Sequence, residues 1–341
     1  MESISGSWAP YRLNFVFEAR TSRASMRHKD TYIVRLSDNC GRVGFGEAAL
    51  FRGLSADDVP DFESVLDYYC SHPGEIDNCN YSAVRFGIET ALRNMRRGMT
   101  PWSGRIDING LIWMGDRATM AQRIDAKLAD GFKLLKLKIG GIDFEDEVGL
   151  LRVIRRRYAS ETLELRLDAN GAFTPKNALE RLRVLSEYGI HSIEQPIRAG
   201  QHEAMRRICA ESPIDIALDE ELIGCSTVEH KDELLDFVCP RYIILKPALC
   251  GGLSGADEWA DAAERHGVGY WFTSALESNI GLDAIARAVV NRACKMPQGL
   301  GTGELYDNNV VSPIVRHGSV LCYDADRYWK MPELRWNTPI F

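Results

Sequence analysis

The stretch Leu163-Glu164-Leu165-Arg166-Leu167-Asp168 alternates leucines with ionisable residues and ends on an aspartate. The stretch Leu134-Leu135-Lys136-Leu137-Lys138 alternates in a similar way and ends on a lysine. Because successive side chains of a β-strand point to opposite faces, each stretch predicts a strand with one apolar face and one charged face. We expect the leucines to pack against helices and the charged residues to point into a closed sheet.

Short strand-like segments recur along the chain after about residue 107, and helix-like stretches separate them. The segments are residues 107–111, 134–139, 163–168, 192–194, 214–219, 242–246, 269–273 and 299–303. Their starts lie 22 to 30 residues apart, about the length of one strand–helix unit. Eight alternating units predict an α/β protein with a parallel barrel.

The connecting stretches carry helix signals. We predict helices over residues 118–129, 175–188 and 256–266. The second would begin with Thr174 as its N-cap, and the third would end at Gly267. Helices between successive strands are what a barrel of parallel strands requires.

The first hundred residues follow a different pattern, in which strand-like alternation precedes two helix-like stretches. The segments concerned are residues 11–17, 30–36, 42–47, 61–70 and 82–96. They predict an α+β unit that precedes the barrel.

These patterns divide the chain into two parts. We predict a capping domain over residues 1–100, completed by about residues 312–341, and a barrel domain over residues 101–311. Two loops, at residues 19–29 and 50–56, are expected to close over the mouth of the barrel. Substrate would therefore meet both domains.

The composition is that of an ordinary globular protein. The 341 residues are 45% hydrophobic and carry a net charge of −7, which gives no reason to expect nucleic acid or a membrane as partner. No apolar run is long enough to span a bilayer, and the start lacks the regions of a secretory signal. Nine scattered cysteines without a Cys-x-x-Cys pair fit a reducing compartment, so we expect a cytoplasmic protein.

Five successive predicted strands end in an ionisable residue on the inward side. In chain order these residues are Lys138, Asp168, Glu194, Asp219 and Lys246. Barrel interiors are normally filled by branched apolar side chains, and burying an unpaired charge is costly. We therefore expect a bound group here, at the strand ends where barrel enzymes place their active sites.

The order lysine, three carboxylates, lysine indicates a metal and a base. Three converging carboxylates suit a hard cation, so we expect Asp168, Glu194 and Asp219 to hold Mg²⁺, with Mn²⁺ as a substitute. A lysine beside such a cation loses its proton more readily, and we expect Lys136 to lower the pKa of Lys138 further. Lys138 could then remove a proton next to a substrate carboxylate, since the metal stabilises the charge that develops.

At these positions the chain resembles the enolase superfamily, and within it the muconate-lactonising-enzyme subgroup. The matching strings are Lys136-Leu137-Lys138, Asp168-Ala169-Asn170-Gly171, Ile193-Glu194-Gln195-Pro196, Ala217-Leu218-Asp219-Glu220 and Leu245-Lys246-Pro247. Gly44-Phe45-Gly46-Glu47-Ala48 and residues 83–92 resemble the capping domain of that family. The resemblance implies an N-terminal α+β capping domain, a modified (β/α)7β TIM-type barrel, a Mg²⁺ ion and a lysine pair.

Within the subgroup the chain is most similar to the ortho-succinylbenzoate synthase family, the dehydratases of menaquinone biosynthesis. The features concerned are Arg166, Ser274-Ala275-Leu276-Glu277-Ser278, and Gly299-Leu300-Gly301-Thr302-Gly303 leading into Asn308-Asn309. The resemblance implies a carbon–oxygen lyase that converts 2-succinyl-6-hydroxy-2,4-cyclohexadiene-1-carboxylate to o-succinylbenzoate through a metal-stabilised enediolate. Lys138 would take the proton and then protonate the departing hydroxyl, and Lys246 would stabilise the enediolate.

The same resemblance implies further site residues that bind substrate or support the residues that do. These are Lys136, Arg166, Asn170, Ser274 and Glu277.

Three other functions stay open at this point. A dipeptide epimerase of the same superfamily usually carries an Asp-x-Asp pair at the last barrel strand, but this chain has Gly303-Glu304-Leu305-Tyr306-Asp307 there. Muconate lactonisation or N-acylamino-acid racemisation is the second alternative, and a barrel that has lost catalysis and serves as a binding or structural subunit is the third. The expected partner is a small carboxylate substrate, and the sequence leaves a homo-oligomer open.

Overall fold

A computed structural model describes residues 4–20 and 25–337 of the chain. Its N-terminal part is an antiparallel sheet with the second strand in the middle, formed by β1 (Ile4–Arg20), β2 (Ser25–Asp38) and β3 (Val43–Ala48). Two helices, α1 (Phe62–Ser71) and α2 (Ser82–Arg97), pack on this sheet. Helix α2 approaches β3 so closely that a Cβ on Gly46 would lie only 1.9 Å from the carbonyl oxygen of Gly87, and this approach therefore requires a glycine.

The second part is built on a parallel sheet. The strands that follow β3 are β4 (Ile106–Asp107), β5 (Gly110–Ile112), β6 (Leu134–Lys138), β7 (Glu164–Asp168), β8 (Ile190–Glu194), β9 (Asp215–Leu218), β10 (Tyr242–Leu245) and β11 (Gly269–Phe272). Strands β5 to β11 are hydrogen-bonded neighbours in the order in which they follow along the chain. This order is typical of a barrel in which each connection crosses back along the outside.

Helices connect the parallel strands. They are α3 (Arg117–Ala129), α4 (Phe144–Arg157), α5 (Ala178–Ser186), α6 (His202–Glu211), α7 (Val228–Val238), α8 (Gly252–His266) and α9 (Asn279–Asn291). Leu135, Leu137, Leu165 and Leu167 are at most 1% exposed and belong to the main apolar core that also contains the inner residues of these helices. The prediction that the leucines flanking the lysines of β6, and the leucines of β7, face the helices is therefore confirmed.

One helix begins later than predicted. We expected a helix from residue 175 with Thr174 as its N-cap, but α5 begins at Ala178. The Thr174 N–H donates to Asn177 Oδ1 at 2.8 Å, and the Asn177 N–H donates to Thr174 Oγ1 at 3.4 Å. These reciprocal bonds form a separate turn before the helix. Helix α8, by contrast, ends at Gly267 as predicted, with φ +65° there.

The predicted eighth strand, residues 299–303, is a turn-rich segment rather than a strand. The gap between β11 and β5 is closed by two isolated parallel bridges, from Gln298 to Ile108 and from Gly299 to Thr273. The Gly299 N–H donates to the Phe272 carbonyl at 2.8 Å. Three glycines in five residues weaken strand structure, so contact is made by single bridges instead of a ladder.

The C-terminal residues contact both parts. Strands β12 (Ile314–His317) and β13 (Val320–Tyr323) form a hairpin, and β13 pairs with β4 at the start of the barrel. Further along, Trp336 packs near Phe45 and under the guanidinium of Arg35 in the N-terminal sheet. The domain boundaries themselves stay a prediction.

Among residues 4–20 and 25–337, no helix is long and apolar enough to cross a membrane.

Candidate active site

Five ionisable side chains lie side by side at the C-terminal edge of the parallel sheet. Lys138 is in register with Asp168, and Asp168 with Glu194. Asp219 directly follows β9, and Lys246 directly follows β10. Because β6 to β10 are consecutive neighbours, the order lysine, three carboxylates, lysine in the sequence is also the order in space.

The two outer lysines bond to different carboxylates. Lys138 Nζ donates to Asp168 Oδ2 at 2.8 Å and to Asn170 Oδ1 at 2.7 Å. Lys246 Nζ donates to Asp219 Oδ2 at 2.5 Å. Burial lowers the pKa of Lys246, but the charges of Asp219, Glu220 and Asp168 together raise it above its ordinary value. The two outer lysines are therefore paired with different carboxylates.

Lys136 lies two residues before Lys138 on β6 and bridges two carboxylates. Its Nζ is 3.0 Å from Asp168 Oδ2 and 2.5 Å from Glu194 Oε2. Burial lowers the pKa of Lys136, but the charges of Asp168 and Glu194 raise it above its ordinary value. We expected Lys136 to lower the pKa of Lys138, but in the structure two carboxylates lie against the Lys136 ammonium and offset its charge.

The pKa values of two buried carboxylates, Asp168 and Glu194, shift in opposite directions. Burial alone would raise the pKa of Asp168, but Lys136 and Lys138 hold it well below its ordinary range. Burial raises the pKa of Glu194 to about 7, although Lys136 acts against this rise. The charges of Asp168 and Asp219 add to it, because like charges disfavour another ionised group nearby.

The carboxylates have the donor chemistry of a magnesium site. Asp168, Glu194 and Asp219 offer only oxygen atoms, the ligands that Mg²⁺ prefers. Glu194 Oε1 is buried and has no hydrogen-bond partner within the part of the chain that the structure describes, so its lone pairs remain to meet a cation.

The lysine ammoniums occupy oxygens of the same carboxylates that a metal would need. Lys136 spans Asp168 and Glu194, and within residues 4–20 and 25–337 no three His, Cys, Asp or Glu side chains have the spacing of a metal site. A cation bound by the carboxylates would therefore compete with lysine ammoniums for the same oxygens.

Two residues after these strands adopt left-handed backbone conformations, which few non-glycine residues take. Asn170 has φ +45° and Gln195 has φ +40°. Asn170 Nδ2 donates to Glu220 Oε1 at 3.1 Å, and Gln195 Oε1 accepts the Asp219 N–H at 3.1 Å. Both conformations thus direct side chains that hold other members of the site, which is where such strain is commonly found.

Lys136, Lys138 and Lys246 line a cavity of about 270 Å³. Apolar side chains form much of the remaining wall, namely Met26, Phe51, Leu54, Leu111, Trp113, Leu249 and Leu276. The predicted loop at 19–29 is wrong in its extent, because residues 19–20 end β1 and residues 25–29 begin β2, while residues 21–24 lie outside the described residues. Met26 thus reaches the cavity from β2, and Phe51 comes from the predicted loop at 50–56.

A comparison with known protein families identifies the family to which this barrel belongs. Residues 119–321, more than half of the chain, match the family model described as enolase C-terminal domain-like. The chain belongs to this family. The predicted superfamily and the barrel with an N-terminal capping unit are thereby confirmed.

Individual relatives of this enolase-like chain agree with the family match. The o-succinylbenzoate synthase of Desulfotalea psychrophila is 42% identical to it, over 93% of this chain and 99% of the relative. The crystal structure of MenC from Desulfotalea psychrophila superposes with a TM-score of 0.80 at 40% identity, covering 94% of this chain and 99% of that one. A dipeptide epimerase from Enterococcus faecalis, solved with Mg and L-Leu-L-Tyr, shares the fold with a TM-score of 0.83 at 20% identity, covering 95% and 97%.

The remaining predicted site residues of the enolase-like chain lie at different depths. Among the described residues, Lys136, Asn170 and Ser274 line the cavity, whereas Glu277 and Arg166 do not. Glu277 is buried behind the wall and accepts the Ser274 hydroxyl at 2.5 Å. Arg166 contacts Glu164 and the Trp271 ring instead of the cavity.

Two residues of the site were not among those predicted from the sequence. Glu220 lines the cavity and accepts from Asn170, and Gln195 fixes the backbone at Asp219. Each directly follows a predicted metal ligand in the sequence, Asp219-Glu220 and Glu194-Gln195. That adjacency was the only available signal, and it does not distinguish a supporting residue from an ordinary turn residue.

Proposed function

We propose that the protein is a Mg²⁺-dependent o-succinylbenzoate synthase, a dehydratase acting on 2-succinyl-6-hydroxy-2,4-cyclohexadiene-1-carboxylate. The observation that carries this proposal is that Lys138 and Lys246 line one cavity above three carboxylates at neighbouring strand ends. The 42% identity to an o-succinylbenzoate synthase over nearly the full length of both chains supports the choice of reaction.

Lys138 is the base in this proposal. As the free amine it takes the ring proton next to the carboxylate, so that the C–H bond breaks and an enediolate forms. The ammonium of Lys138 then gives that proton to the departing hydroxyl, the C–O bond breaks, and water and an aromatic ring result. Asn170 Oδ1, 2.7 Å from Lys138 Nζ, would orient the base throughout.

Lys246 acts as a fixed cation. Its Nζ is held by Asp219 at 2.5 Å, and its raised pKa keeps it protonated near neutral pH. An ammonium held in place favours the enediolate over the substrate, because the negative charge on the carboxylate oxygens grows as the proton leaves.

Asp168, Glu194 and Asp219 would hold the Mg²⁺, for which Mn²⁺ could substitute. When bound, the ion supplies positive charge for the substrate carboxylate. The all-oxygen donor set and the unpartnered Glu194 Oε1 support this assignment within the described residues.

The cavity wall favours the dehydratase over a dipeptide epimerase. A dipeptide carries an ammonium that a carboxylate should meet, yet among the described residues lining the cavity the single carboxylate is Glu220. Glu220 lies beside Asp219 and accepts from Asn170, so it belongs to the lysine side. The apolar far wall suits a cyclohexadiene ring better than an ammonium.

The remaining assignments follow from the same proposal. Residues 1–100 with about 312–341 would be the capping domain, and residues 101–311 the catalytic barrel. The enzyme would act in the cytoplasm, in menaquinone biosynthesis, on a small carboxylate substrate.

The test is to follow the cyclohexadiene absorbance when purified protein meets the substrate, with Mg²⁺ and again with EDTA. We expect fast loss of the chromophore that EDTA abolishes and added Mg²⁺ restores. Lys138→Met is the control for conversion by contaminating enzymes. No conversion by the wild-type protein would refute the dehydratase, and deuterium exchange into Ala-Glu and N-acyl amino acids would then test epimerisation and racemisation.

A further inference from the structure

Glu47, at the end of β3, is a fully buried carboxylate whose two oxygens are each bonded twice. Oε1 accepts the Thr31 hydroxyl at 2.9 Å and the Ser278 N–H at 3.0 Å. Oε2 accepts the Ser278 hydroxyl at 2.5 Å and the Gly281 N–H at 3.1 Å. Three of these four bonds cross from the N-terminal sheet to the barrel.

The partners of Glu47 lie at the N-terminus of α9. Ser278 is the N-cap of this helix, and its hydroxyl oxygen accepts the Ile280 N–H at 3.2 Å. The first N–H groups of a helix have no partner within the helix, and a carboxylate is stabilised there by the helix dipole. Glu47 therefore supplies from another part of the molecule what a local capping residue usually supplies.

The segment held in this way, residues 274–278, forms part of the cavity wall. Ser274 and Leu276 line the cavity, and Leu276 has a left-handed φ of +67°. Behind the wall, Glu277 accepts the Ser274 hydroxyl, and the Tyr306 hydroxyl donates to the Leu276 carbonyl at 2.8 Å. A β-carbon-bearing residue in this conformation persists only where its surroundings hold it.

Lys29 on β2 interacts electrostatically with this cluster. It is buried, its Nζ has no hydrogen-bond partner in the described part of the chain, and the carboxylates that act on it include Glu47 and Glu277. Burial lowers the pKa of Lys29, and these two carboxylates oppose that effect. Met26, three residues earlier on the same strand, lines the cavity from the other side.

We infer that Glu47 is a positioning residue that ties the wall contributed by β2 to the wall contributed by residues 274–278. The cluster sets the width of the cavity and so the fit of the substrate, without touching the reacting atoms. This inference rests on the proposed function for its kinetic consequence, but its structural consequence can be measured without any substrate.

The first measurement is hydrogen–deuterium exchange in the absence of substrate. Glu47→Ala removes the acceptor of the Ser278 and Gly281 amides, so residues 276–282 should exchange at least roughly tenfold faster. Glu47→Gln keeps one acceptor oxygen and should show a smaller increase. Unchanged exchange in Glu47→Ala, with the protein folded, would overturn the inference whatever reaction the enzyme catalyses.

Glu89 offers a matched control. It is a carboxylate on α2 that accepts the Leu253 N–H at 2.7 Å and the Ser254 N–H at 3.1 Å, and so it ties the N-terminal part to α8. Glu89→Gln should increase exchange at the start of α8 and leave residues 276–282 as in the wild type. A general loosening of the molecule would instead affect both helices in both variants, and that result counts against a local positioning role.

The second measurement is steady-state kinetics with the dehydratase substrate. Because the cluster shapes the wall and not the base, Glu47→Ala should raise KM roughly fivefold or more and change kcat less than about twofold. Glu47→Gln should lie between the wild type and Glu47→Ala. Unchanged KM alongside faster exchange would show that Glu47 only stabilises the fold, which overturns the positioning role.

Ser278→Ala tests the same contact from the barrel side, and urea unfolding should show that the variant remains folded despite the loss of the N-cap. If Glu47 acts through Ser278, the fold-increase in KM of the double variant Glu47→Gln with Ser278→Ala should be smaller than the product of the fold-increases in the two single variants. Full additivity would contradict the contact as the route. Should the wild-type protein show no dehydratase activity, the proposed function fails, and the exchange experiment still decides on the cluster.

Discussion

Two layers of ionisable side chains lie inside the barrel, and the alternation of β7 contributes to both. The upper layer consists of Lys138, Asp168, Glu194, Asp219 and Lys246 at the strand ends. The lower layer consists of Glu164, Arg166 and His191, nearer the strand starts. Its members compensate one another: Arg166 Nε donates to Glu164 Oε1 at 3.0 Å, and His191 Nδ1 lies 3.7 Å from the same oxygen.

The two layers differ in what surrounds them. Arg166 stacks over the Trp271 ring with 4.2 Å to its centroid and donates to the Pro297 carbonyl at 3.1 Å, so protein groups satisfy it. The upper layer borders a cavity and, within the described residues, keeps the unpartnered Glu194 Oε1. Buried charge therefore indicates a functional site only where protein groups leave part of it unsatisfied.

The sharpest test of this difference is Lys138→Met. Loss of a general base typically costs about 10² to 10⁴ in rate, and here the same group also returns the proton, so we expect kcat to fall by at least about 10³. Urea unfolding should show that the variant remains folded, and metal binding should persist. A variant with more than about one tenth of the wild-type kcat would mean that Lys138 is not the base.

The second prediction concerns the metal requirement. Asp219→Asn removes a charged ligand, so the Mg²⁺ concentration for half-maximal activity should rise roughly 10²-fold. The control is Glu164→Gln in the lower layer, which removes a carboxylate of the same barrel and should leave that concentration unchanged. Equal shifts in both variants would remove the distinction between the layers.

The positions of the upper-layer residues could be predicted from the sequence because alternation and location at a strand end are both local properties, while their roles stay a prediction. The same alternation also placed Arg166 on the inward side, but it could not predict whether Arg166 lines the cavity. A period of two determines which face of a strand a side chain occupies, not which groups surround it at each height in the barrel. The predicted start of α5 was wrong because Thr174 and Asn177 bond to each other in a separate turn. Thr174 has the side chain of an N-cap in either case, so the sequence does not distinguish the two arrangements. Glu47 lies 231 residues from its partner Ser278, so no local pattern reveals their contact.

The third prediction concerns a carboxylate that supports the upper layer from outside. Glu147 on α4 is buried and accepts the Gly140 N–H at 2.5 Å, in the loop that follows Lys138. Burial raises its pKa from 4.5 to about 7, although three backbone N–H groups act against this rise. The folded protein therefore binds this proton more tightly than the unfolded chain does.

The sign of the pH effect follows from that difference. The contribution of Glu147 to stability is fully present below about pH 4.5 and is lost as the pH rises through about 7. Glu147→Gln should abolish this slope, which amounts to roughly 2–3 kcal/mol in the free energy of unfolding. Urea unfolding of both proteins at pH 5 and pH 8 measures it, and parallel slopes for the two proteins would contradict the assignment.

The smallest expected effect belongs to the lower layer. Arg166→Met keeps much of the side-chain volume but loses the bonds to Glu164 and Pro297 and the stacking on Trp271, so we expect a loss of about 1–2 kcal/mol in the free energy of unfolding. Because Arg166 does not reach the cavity, kcat should stay within about threefold of the wild type. Urea unfolding and steady-state kinetics on the same preparation give both numbers. A fall in kcat comparable to that of Lys138→Met, in a protein of nearly wild-type stability, would mean that the lower layer acts on the reaction. Whether protein groups satisfy a buried charge would then no longer distinguish structural from catalytic residues in this barrel.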